Sequence, residues 1–192
     1  MLNSFMHNKL LQKYYFINKF QKSNIDKQDF NTTIIYRNYK KNYKISEILL
    51  IKDYCRKKNF KFILSNDIKL SIMLNLDGAY IPSFNKNFLH LTYNFKKNFL
   101  LIGSAHNLKE IRIKEKQNVE KIFVSSIFKK NSNYLGINKF NLISKYSEKE
   151  IIALGGISEK NIRLINLTMS SGFAGISYFK KKGPLKRGLF HK

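Results

Sequence analysis

"IIALGGISEKNI", residues Ile151–Ile162, is an apolar run that ends in a glycine pair and is followed by a polar, helix-like start. The apolar residues predict a buried strand, and Ser158 stands where the N-cap of a following helix is expected. Glycine lacks the Cβ that would block close approach to its backbone, so the pair predicts either a tight turn or a place where another group reaches the main chain. This stretch alone leaves both interpretations open.

Short apolar runs like this one recur along the chain. Most of them are continuous rather than alternating, which is typical of parallel strands covered on both faces. Together with Ile151–Gly156 they predict eight strands, the others being Tyr14–Asn18, Thr33–Arg37, Lys61–Ser65, Gly78–Pro82, Leu100–Ser104, Lys121–Ser126 and Ala174–Phe179.

Several segments between these runs have apolar residues at helical spacing. Asn107 and Glu110 also have the spacing of a capping box, which marks the start of a helix. Eight strand–helix units predict a single-domain α/β protein, a (β/α)8 TIM barrel. The helical stripes are Ile45, Ile48, Leu49 and Tyr54; Leu108, Ile111, Glu115 and Val119; and Ile162, Ile165 and Met169.

Two connections fit a barrel poorly, and they keep a doubly wound α/β fold open as the alternative. The segment Lys19–Phe30 is polar and short, and Ser83–Asn98 contains apolar residues without a regular period. The chain of 192 residues is also slightly shorter than the roughly 200 residues usual for small TIM barrels.

Composition is that of a folded protein: 43% of the residues are hydrophobic and 14% are aromatic, which argues against global disorder. Few prolines and glycines leave no obvious linker. We therefore predict one domain over residues 1–192, with a core from about residue 14 to residue 180 and a basic tail at 180–192.

The formal net charge of +24 raises the question of nucleic-acid binding, because clustered lysines neutralise phosphates. The lysines are instead scattered through nearly every segment, among asparagine, isoleucine and tyrosine, and no base-reading motif accompanies them. This distribution favours lysines on solvated helix faces. The tail Lys180–Lys192 is nevertheless a basic cluster.

The expected compartment is the cytoplasm. The single cysteine, Cys55, cannot form a disulfide within the chain, which fits a reducing environment. Polar residues interrupt the apolar residues near the amino terminus, and no segment is long enough to span a membrane. We therefore expect neither a signal peptide nor a membrane anchor.

A series of short motifs at the predicted strand ends resembles the thiamine phosphate synthase and thiazole tautomerase superfamily of small barrels. Each motif is short, but their order and spacing together are specific. They are "IIYRNY" (Ile34–Tyr39), "SND" (Ser65–Asp67), "LDGAYI" (Leu76–Ile81), "IGSAHNLKE" (Ile102–Glu110), "FVSSIF" (Phe123–Phe128), "ALGGI" (Ala153–Ile157) and "GFAGIS" (Gly172–Ser177).

The resemblance implies a phosphate-binding site beyond the seventh and eighth strands, made by backbone amides and a helix N-terminus. Gly155 and Gly156 would let the phosphate of a thiazole phosphate reach the backbone. Phe179 and Lys180 occupy the corresponding place after the eighth predicted strand, where the family usually offers backbone amides and a serine.

The resemblance also implies a transferase reaction. Thiamine phosphate synthases join an aminopyrimidine diphosphate to a thiazole phosphate and release pyrophosphate, a reaction that needs Mg²⁺ and basic groups on the leaving group. In the sequence, Asp67 matches a metal-binding aspartate, and Asn85 falls near the second one. Lys129 and Lys130 lie in the loop where the family has lysines that bind pyrophosphate.

Four further residues match catalytic positions of the family: Arg37, Asn66, Ser104 and His106. Simpler interpretations exist, since Asp67 could cap a helix, Arg37 could be a surface cation and Ser104 a turn residue.

Some family positions are changed in this chain. Ile35 and Tyr39 stand where the family has glutamine and lysine, with Lys40 one place away, and Asn85 replaces a carboxylate. Because these changes concern the diphosphate half of the reaction, thiazole tautomerase is the alternative. That enzyme transfers only a proton and needs no metal, and His106 suits general acid–base work. A non-catalytic protein that binds thiazole phosphate is a further alternative.

Overall fold

The computed structural model describes residues 11–39 and 44–181. Its eight strands are all parallel and close into a barrel in sequence order, with β8 pairing with β1. Closure confirms the (β/α)8 barrel and excludes the open doubly wound sheet. The strands are β1 (Gln12–Ile17), β2 (Thr32–Tyr36), β3 (Phe62–Ser65), β4 (Gly78–Ile81), β5 (Leu100–Ala105), β6 (Lys121–Ser125), β7 (Glu150–Leu154) and β8 (Gly172–Gly175).

Neighbouring residues of each strand face opposite sides of the sheet, so every strand contributes to two cores. In β1, Tyr14 and Phe16 point into the barrel, while Tyr15 and Ile17 pack under the helices. This explains why the apolar runs are continuous. Aromatic rings fill much of the interior, with Phe123 at 4.9 Å from Tyr14 and 5.8 Å from Phe16 between ring centroids. The interior residues are Tyr14, Phe16, Ile35, Ile63, Tyr80, Ile102, Phe123, Ile152 and Ala174.

The connections contain six helices and two 3₁₀ segments within the described residues. Where the sequence lacks a helical period the helix is short or absent: α1 has five residues, and the segment between β4 and β5 has only a 3₁₀ turn. The helices are α1 (Lys22–Asp26), α2 (Ile45–Lys57), α3 (Ile68–Met73), α4 (Leu108–Lys116), α5 (Gly136–Ser144) and α6 (Ser177–Lys181), and the 3₁₀ segments are Leu89–Thr92 and Ile162–Leu167.

The predicted face of α2 is wrong in part. The helix buries Ile48, Ile51 and Cys55, at a spacing of three and four residues, whereas Ile45 and Leu49 are exposed. The prediction chose apolar residues from two adjacent faces, because isoleucine and leucine occur on both.

The eighth strand was also predicted too late. β8 ends at Gly175 and α6 begins at Ser177, so the predicted strand Ala174–Phe179 is half helix. Phe179 is fully buried and stacks on Phe173, with ring centroids 5.6 Å apart. A short apolar run cannot distinguish a strand from a buried helical turn, and here the run spans both.

Ser158 does not begin an α-helix as predicted. The side chain of Asn161 closes the turn instead: its Oδ1 accepts from the Ser158 amide at 2.8 Å, and its Nδ2 donates to the Gly156 carbonyl at 2.9 Å. The chain then enters the 3₁₀ segment Ile162–Leu167, which buries Ile165, and Met169 beyond its end is exposed.

Two predicted features lie outside the described residues: Lys40 and most of the basic tail, residues 182–192. Among the helices that the structure describes, none is both long and apolar enough to cross a membrane.

We predict that Phe123→Ala destabilises the fold strongly. The ring is fully buried at the centre of the interior cluster, and its removal leaves a cavity that closed strands cannot collapse around, so the expected loss is about 3–5 kcal/mol. Urea unfolding followed by circular dichroism measures it. Phe30→Ala is the matched control, because Phe30 is 81% exposed, and it should change the free energy of unfolding by no more than about 0.5 kcal/mol. Equal losses in the two variants would contradict the assigned core.

Candidate functional site

The residues singled out in the sequence lie at or just beyond the carboxyl ends of the strands. Arg37 follows β2, Asp67 follows β3 by two residues, Ser104 lies near the end of β5, and Gly155 follows β7. Because all strands of a closed parallel barrel point the same way, these ends form one rim. The site residues therefore share the face on which TIM-barrel enzymes carry their active sites.

Arg37 lies over the barrel mouth. Its guanidinium carbon is 5.2 Å from the centroid of the Phe16 ring and 5.9 Å from that of Tyr39, and its Nε is 3.4 Å from Asn18 Oδ1. Cation–π contacts with two rings hold the guanidinium at the rim, so Arg37 is not a free surface cation. Tyr39, at the position where the resemblance implies a lysine, packs edge-on against Phe84 with 5.3 Å between ring centroids.

Ser104 lies inside the upper part of the barrel. The Tyr80 hydroxyl donates to Ser104 Oγ at 2.8 Å, and both residues are buried. Burial raises the pKa of Tyr80 far above its usual value, so Tyr80 stays a neutral donor. Because Ser104 accepts this bond, its own O–H remains a donor for an acceptor above it. Ser104 is thus a strand residue whose hydroxyl group is held by a hydrogen bond in the barrel interior, and it is not a turn residue.

Asn66, Asp67 and Asn85 lie together. Asn85 Nδ2 donates to Asn66 Oδ1 at 2.8 Å, and the three residues line a cavity of about 190 Å³ that also contacts His90. Asp67 is the N-cap of α3, since its Oδ1 accepts from the Leu70 amide at 3.0 Å. The helix-cap interpretation is therefore correct, and it leaves the carboxylate at the cavity wall.

The donor set of this cavity fits Mg²⁺ only in part. It offers one carboxylate, Asp67, and the amide oxygens of Asn66 and Asn85. Among the described residues, no group of three or more histidine, cysteine, aspartate or glutamate side chains is arranged to hold a metal ion. Mg²⁺ is commonly held by one or two carboxylates together with substrate phosphates and water. The residues present fit an ion that arrives with a diphosphate and not a site made by protein ligands alone.

His106 is oriented by a carboxylate. Glu110 Oε2 accepts from the backbone N–H of His106 at 2.8 Å and lies 2.9 Å from His106 Nδ1. Asn107 caps α4 by accepting from the Glu110 amide at 3.0 Å, which confirms half of the predicted capping box. The other half differs, because the Glu110 carboxylate accepts from the backbone N–H of His106 and not from that of the N-cap residue Asn107. This directs the Nε2 atom of the ring away from Glu110.

The glycine pair is required by the protein's own backbone. Gly155 and Gly156 have φ of +100° and +76°, a region that favours glycine. A Cβ on Gly156 would lie 2.4 Å from the backbone nitrogen of Lys129, and one on Gly155 would lie 2.5 Å from Ser126 Oγ. The group that approaches the backbone of the glycine pair is thus the loop after β6. The sequence alone could not reveal this contact.

The same contact fixes the position of the loop after β6, which carries Lys129 and Lys130. The amide of Phe128 donates to the Gly155 carbonyl at 2.9 Å, and Ser126 Oγ donates to the Lys129 carbonyl at 3.0 Å. Lys129 and Lys130 are exposed and follow directly. The loops after β6 and β7 therefore form one unit at the rim.

The region after β8 differs from the prediction. Lys180 is exposed in α6 and lines a cavity of about 210 Å³ together with Lys19 and Gln21, while the Phe179 side chain belongs to the core. The first intrahelical bond of α6 runs from the Lys180 amide to the Ile176 carbonyl, at 3.0 Å. The preceding amides, from Ser177 to Phe179, are the first-turn donors of the helix. Sequence reasoning missed Lys19 and Ser177, because β8 was predicted too late and Lys19 lies in a connection without a clear pattern.

Comparison with known proteins gives a consistent result. A family model described as thiamine monophosphate synthase matches residues 26–179. A thiamine-phosphate synthase of Persephonella marina is 27% identical over 164 residues, which cover 81% of this chain and 77% of that protein. One of Coprothermobacter proteolyticus is 25% identical over 134 residues, 67% of this chain and 63% of that protein. The structure of a thiamine phosphate pyrophosphorylase from Pyrococcus furiosus superposes with a TM-score of 0.72 at 20% identity, covering 91% of this chain and 92% of that one.

We predict that Gly156→Ala destabilises the protein by more than about 1–3 kcal/mol, the cost of a strained backbone conformation alone, because the added Cβ would also collide with the backbone of Lys129. Gly175→Ala is the control, because a Cβ there meets no atom within 4 Å and φ is not positive. Urea unfolding of both variants gives the comparison, with hydrogen exchange of residues 126–130 as a local measure. If the two substitutions cost the same, the contact between the two loops is not what requires the glycine.

Proposed function

The chain belongs to the thiamine monophosphate synthase family, and from this we propose that it joins an aminopyrimidine diphosphate to a thiazole phosphate, releasing pyrophosphate. The observation that carries the proposal is the family match over residues 26–179, combined with a rim that holds Arg37, Asp67, Ser104 and His106 at the matching strand ends.

The diphosphate half of the site would lie between β2, β3 and β4. Arg37 offers a fixed cation, and Asp67 with the amide oxygen of Asn85 would hold Mg²⁺ together with the diphosphate. When bound, Mg²⁺ neutralises charge that develops on the departing pyrophosphate. Lys129 or Lys130, on the loop after β6, would reach the same leaving group from across the mouth.

The thiazole phosphate half would lie beyond β7 and β8. Its donors are the amides of the Gly155–Gly156 turn and the first-turn amides of α6, up to that of Phe179. The hydroxyl of Ser177 takes the place of the serine expected after β8. Lys180 and Lys19 line the neighbouring cavity and add positive charge.

The reacting centre would lie over Ser104. Departure of pyrophosphate leaves a cation on the pyrimidine, and the polar groups nearest the barrel axis then determine its orientation. Ser104 can donate to a ring nitrogen of the pyrimidine because Tyr80 satisfies its acceptor side. Asn66 and His106 flank this position at the ends of β3 and β5.

One observation favours the second candidate, a thiazole tautomerase. The His106–Glu110 pair, with 2.9 Å between Nδ1 and Oε2, is the arrangement of an imidazole held for proton transfer. That reaction would use the thiazole phosphate half alone.

The proposal includes small phosphorylated substrates and a cytoplasmic location. Cys55 is a buried free thiol, and burial raises its pKa to about 12, which makes it unreactive. A buried single thiol fits a reducing compartment. We expect one domain.

The first test combines turnover with one conservative substitution. Wild-type protein, supplied with aminopyrimidine diphosphate, thiazole phosphate and Mg²⁺, should form thiamine phosphate, measured by chromatography. Asp67→Asn keeps an N-cap of equal quality but removes the charge, so it should lower Mg²⁺-dependent turnover by at least about 10- to 100-fold and leave thiazole phosphate binding unchanged.

Asp53→Asn is the matched control for this variant, since Asp53 is exposed on α2 and distant from the strand ends. Turnover by the Asp67 variant at the wild-type rate would remove Asp67 from the metal site. Absence of product from wild type, with isomerisation of a thiazole phosphate tautomer that depends on His106, would establish the tautomerase instead.

The thiazole phosphate half makes a separate prediction. Lys180→Ala and Ser177→Ala should each weaken thiazole phosphate binding by about tenfold, the loss of one hydrogen bond to a charged group, while the backbone amides preserve the remainder. Calorimetric titration measures this, with Lys57→Ala as control, because Lys57 is exposed at the carboxyl end of α2. Wild-type affinity in both variants would place the phosphate elsewhere on the rim.

A further inference from the structure

Lys114 is a buried lysine behind the candidate diphosphate site. It lies in α4, three residues after Ile111 on the face that packs on the barrel, and its relative exposure is 0%. Its Nζ donates to the Asn85 carbonyl at 2.7 Å and to Gln117 Oε1 at 2.8 Å. The expectation that lysines occupy solvated helix faces is wrong at this position.

Gln117 completes the attachment. This residue is also fully buried, and its Nε2 donates to the Asn85 carbonyl at 3.1 Å and to the Asn87 carbonyl at 2.8 Å. The His90 imidazole donates from Nε2 to the Gln117 carbonyl at 2.8 Å. The carboxyl end of α4 thus holds three residues of the segment between β4 and β5.

These bonds matter because the segment has little regular structure of its own. Between Ile81 and Leu100 it contains only the 3₁₀ turn Leu89–Thr92, so backbone hydrogen bonds within it do not determine its position. Asn85 is joined to the site through its side chain, which donates to Asn66 Oδ1 at 2.8 Å and accepts from the Asn87 amide at 2.9 Å. A continuous set of hydrogen bonds therefore runs from Lys114 through Asn85 to Asn66.

Packing alone does not account for an ammonium group here. Both direct acceptors are neutral oxygens, and burial, opposed by nearby Glu110, lowers the pKa of Lys114 to about 8. Burying a charge without a direct counter-ion is unfavourable, and an apolar side chain of the same length would fill the space without that cost. The strand makes room for the lysine stem at Gly103, where a Cβ would lie 2.7 Å from Lys114 Cδ.

We propose that Lys114, together with Gln117, is a positioning residue for the diphosphate half of the site. By fixing the Asn85 backbone, the pair presents the Asn85 amide beside Asn66 and Asp67, where one neutral side chain must serve in place of a carboxylate. The ammonium also adds positive charge behind a cavity that receives a polyanion. The inference rests on the proposed function, because it names the part of that site which the pair serves.

The test compares Lys114→Met with Lys116→Met, an exposed lysine on the same helix. Calorimetric titration with Mg²⁺ pyrophosphate should show affinity lowered about 10- to 100-fold in the Lys114 variant, the loss typical of outer partners of a metal site. Binding of thiazole phosphate should be unchanged. In turnover, the KM for aminopyrimidine diphosphate should rise while the KM for thiazole phosphate stays constant.

A merely structural role makes a different prediction, namely lower stability with no selective loss. We expect the melting temperature of Lys114→Met to stay within about 4 °C of wild type, and hydrogen exchange to accelerate in residues 82–93 alone. Gln117→Leu, which removes the second half of the attachment, should reproduce the selective loss if the methionine variant fails to fold.

The outcomes separate the two proposals. Selective loss of Mg²⁺ pyrophosphate binding without any wild-type turnover would support the positioning role and overturn the synthase function. Wild-type turnover with unchanged Mg²⁺ pyrophosphate binding in both the Lys114 and Gln117 variants would overturn the positioning role and retain the function. Failure of the wild-type protein to bind Mg²⁺ pyrophosphate at all, and to turn over, would overturn both.

Discussion

The pairing of β8 with β1 is the contact on which the rest of the structure depends. Gln12 lies opposite Gly172 in this register, and a Cβ on Gly172 would come within 2.3 Å of the Gln12 carbonyl. Only glycine permits this approach, and with it the closed sheet has no edge. Closure gives every strand end a fixed neighbour, so residues far apart in sequence, such as Arg37 and Ser104, are held on one rim. Side chains at the strand ends are therefore positioned by the sheet itself.

The same closure explains what the sequence could predict. Strands with one face inside the barrel and the other under helices must be apolar on both faces, and this constraint is visible as the continuous runs at β2, β3 and β6. The order of the strand-end motifs was equally visible, because it follows chain order in a sequentially wound barrel. The general location of Arg37, Asp67 and Ser104 could therefore be predicted from the sequence.

What could not be predicted depends on contacts between distant segments. The positive φ values of Gly155 and Gly156 are explained by a loop about 30 residues earlier in the chain, and no local pattern contains that information. Lys114 looked like one surface lysine among many, because its acceptors belong to Asn85 and to a glutamine just after the helix. The sequence predicts Phe179 to lie in a strand, whereas it lies in α6. Burial makes a residue apolar but does not specify its backbone conformation.

The two halves of the rim are built on different principles. Beyond β7 and β8 the proposed donors are mostly backbone amides, which depend on the fold and tolerate changes of side chain. Between β2 and β4 the proposed donors are side chains, and here Tyr39 and Asn85 stand at positions where the resemblance implies a lysine and a carboxylate. A neutral amide binds a dication less strongly than a carboxylate does. The orientation of the amide therefore matters more to the affinity of the cavity for Mg²⁺. Asn85 has its side chain tied to Asn66 and its carbonyl held by both Lys114 and Gln117. In the proposed site, Lys114 and Gln117 would therefore offset the weaker ligand, because they fix the backbone that carries the Asn85 amide.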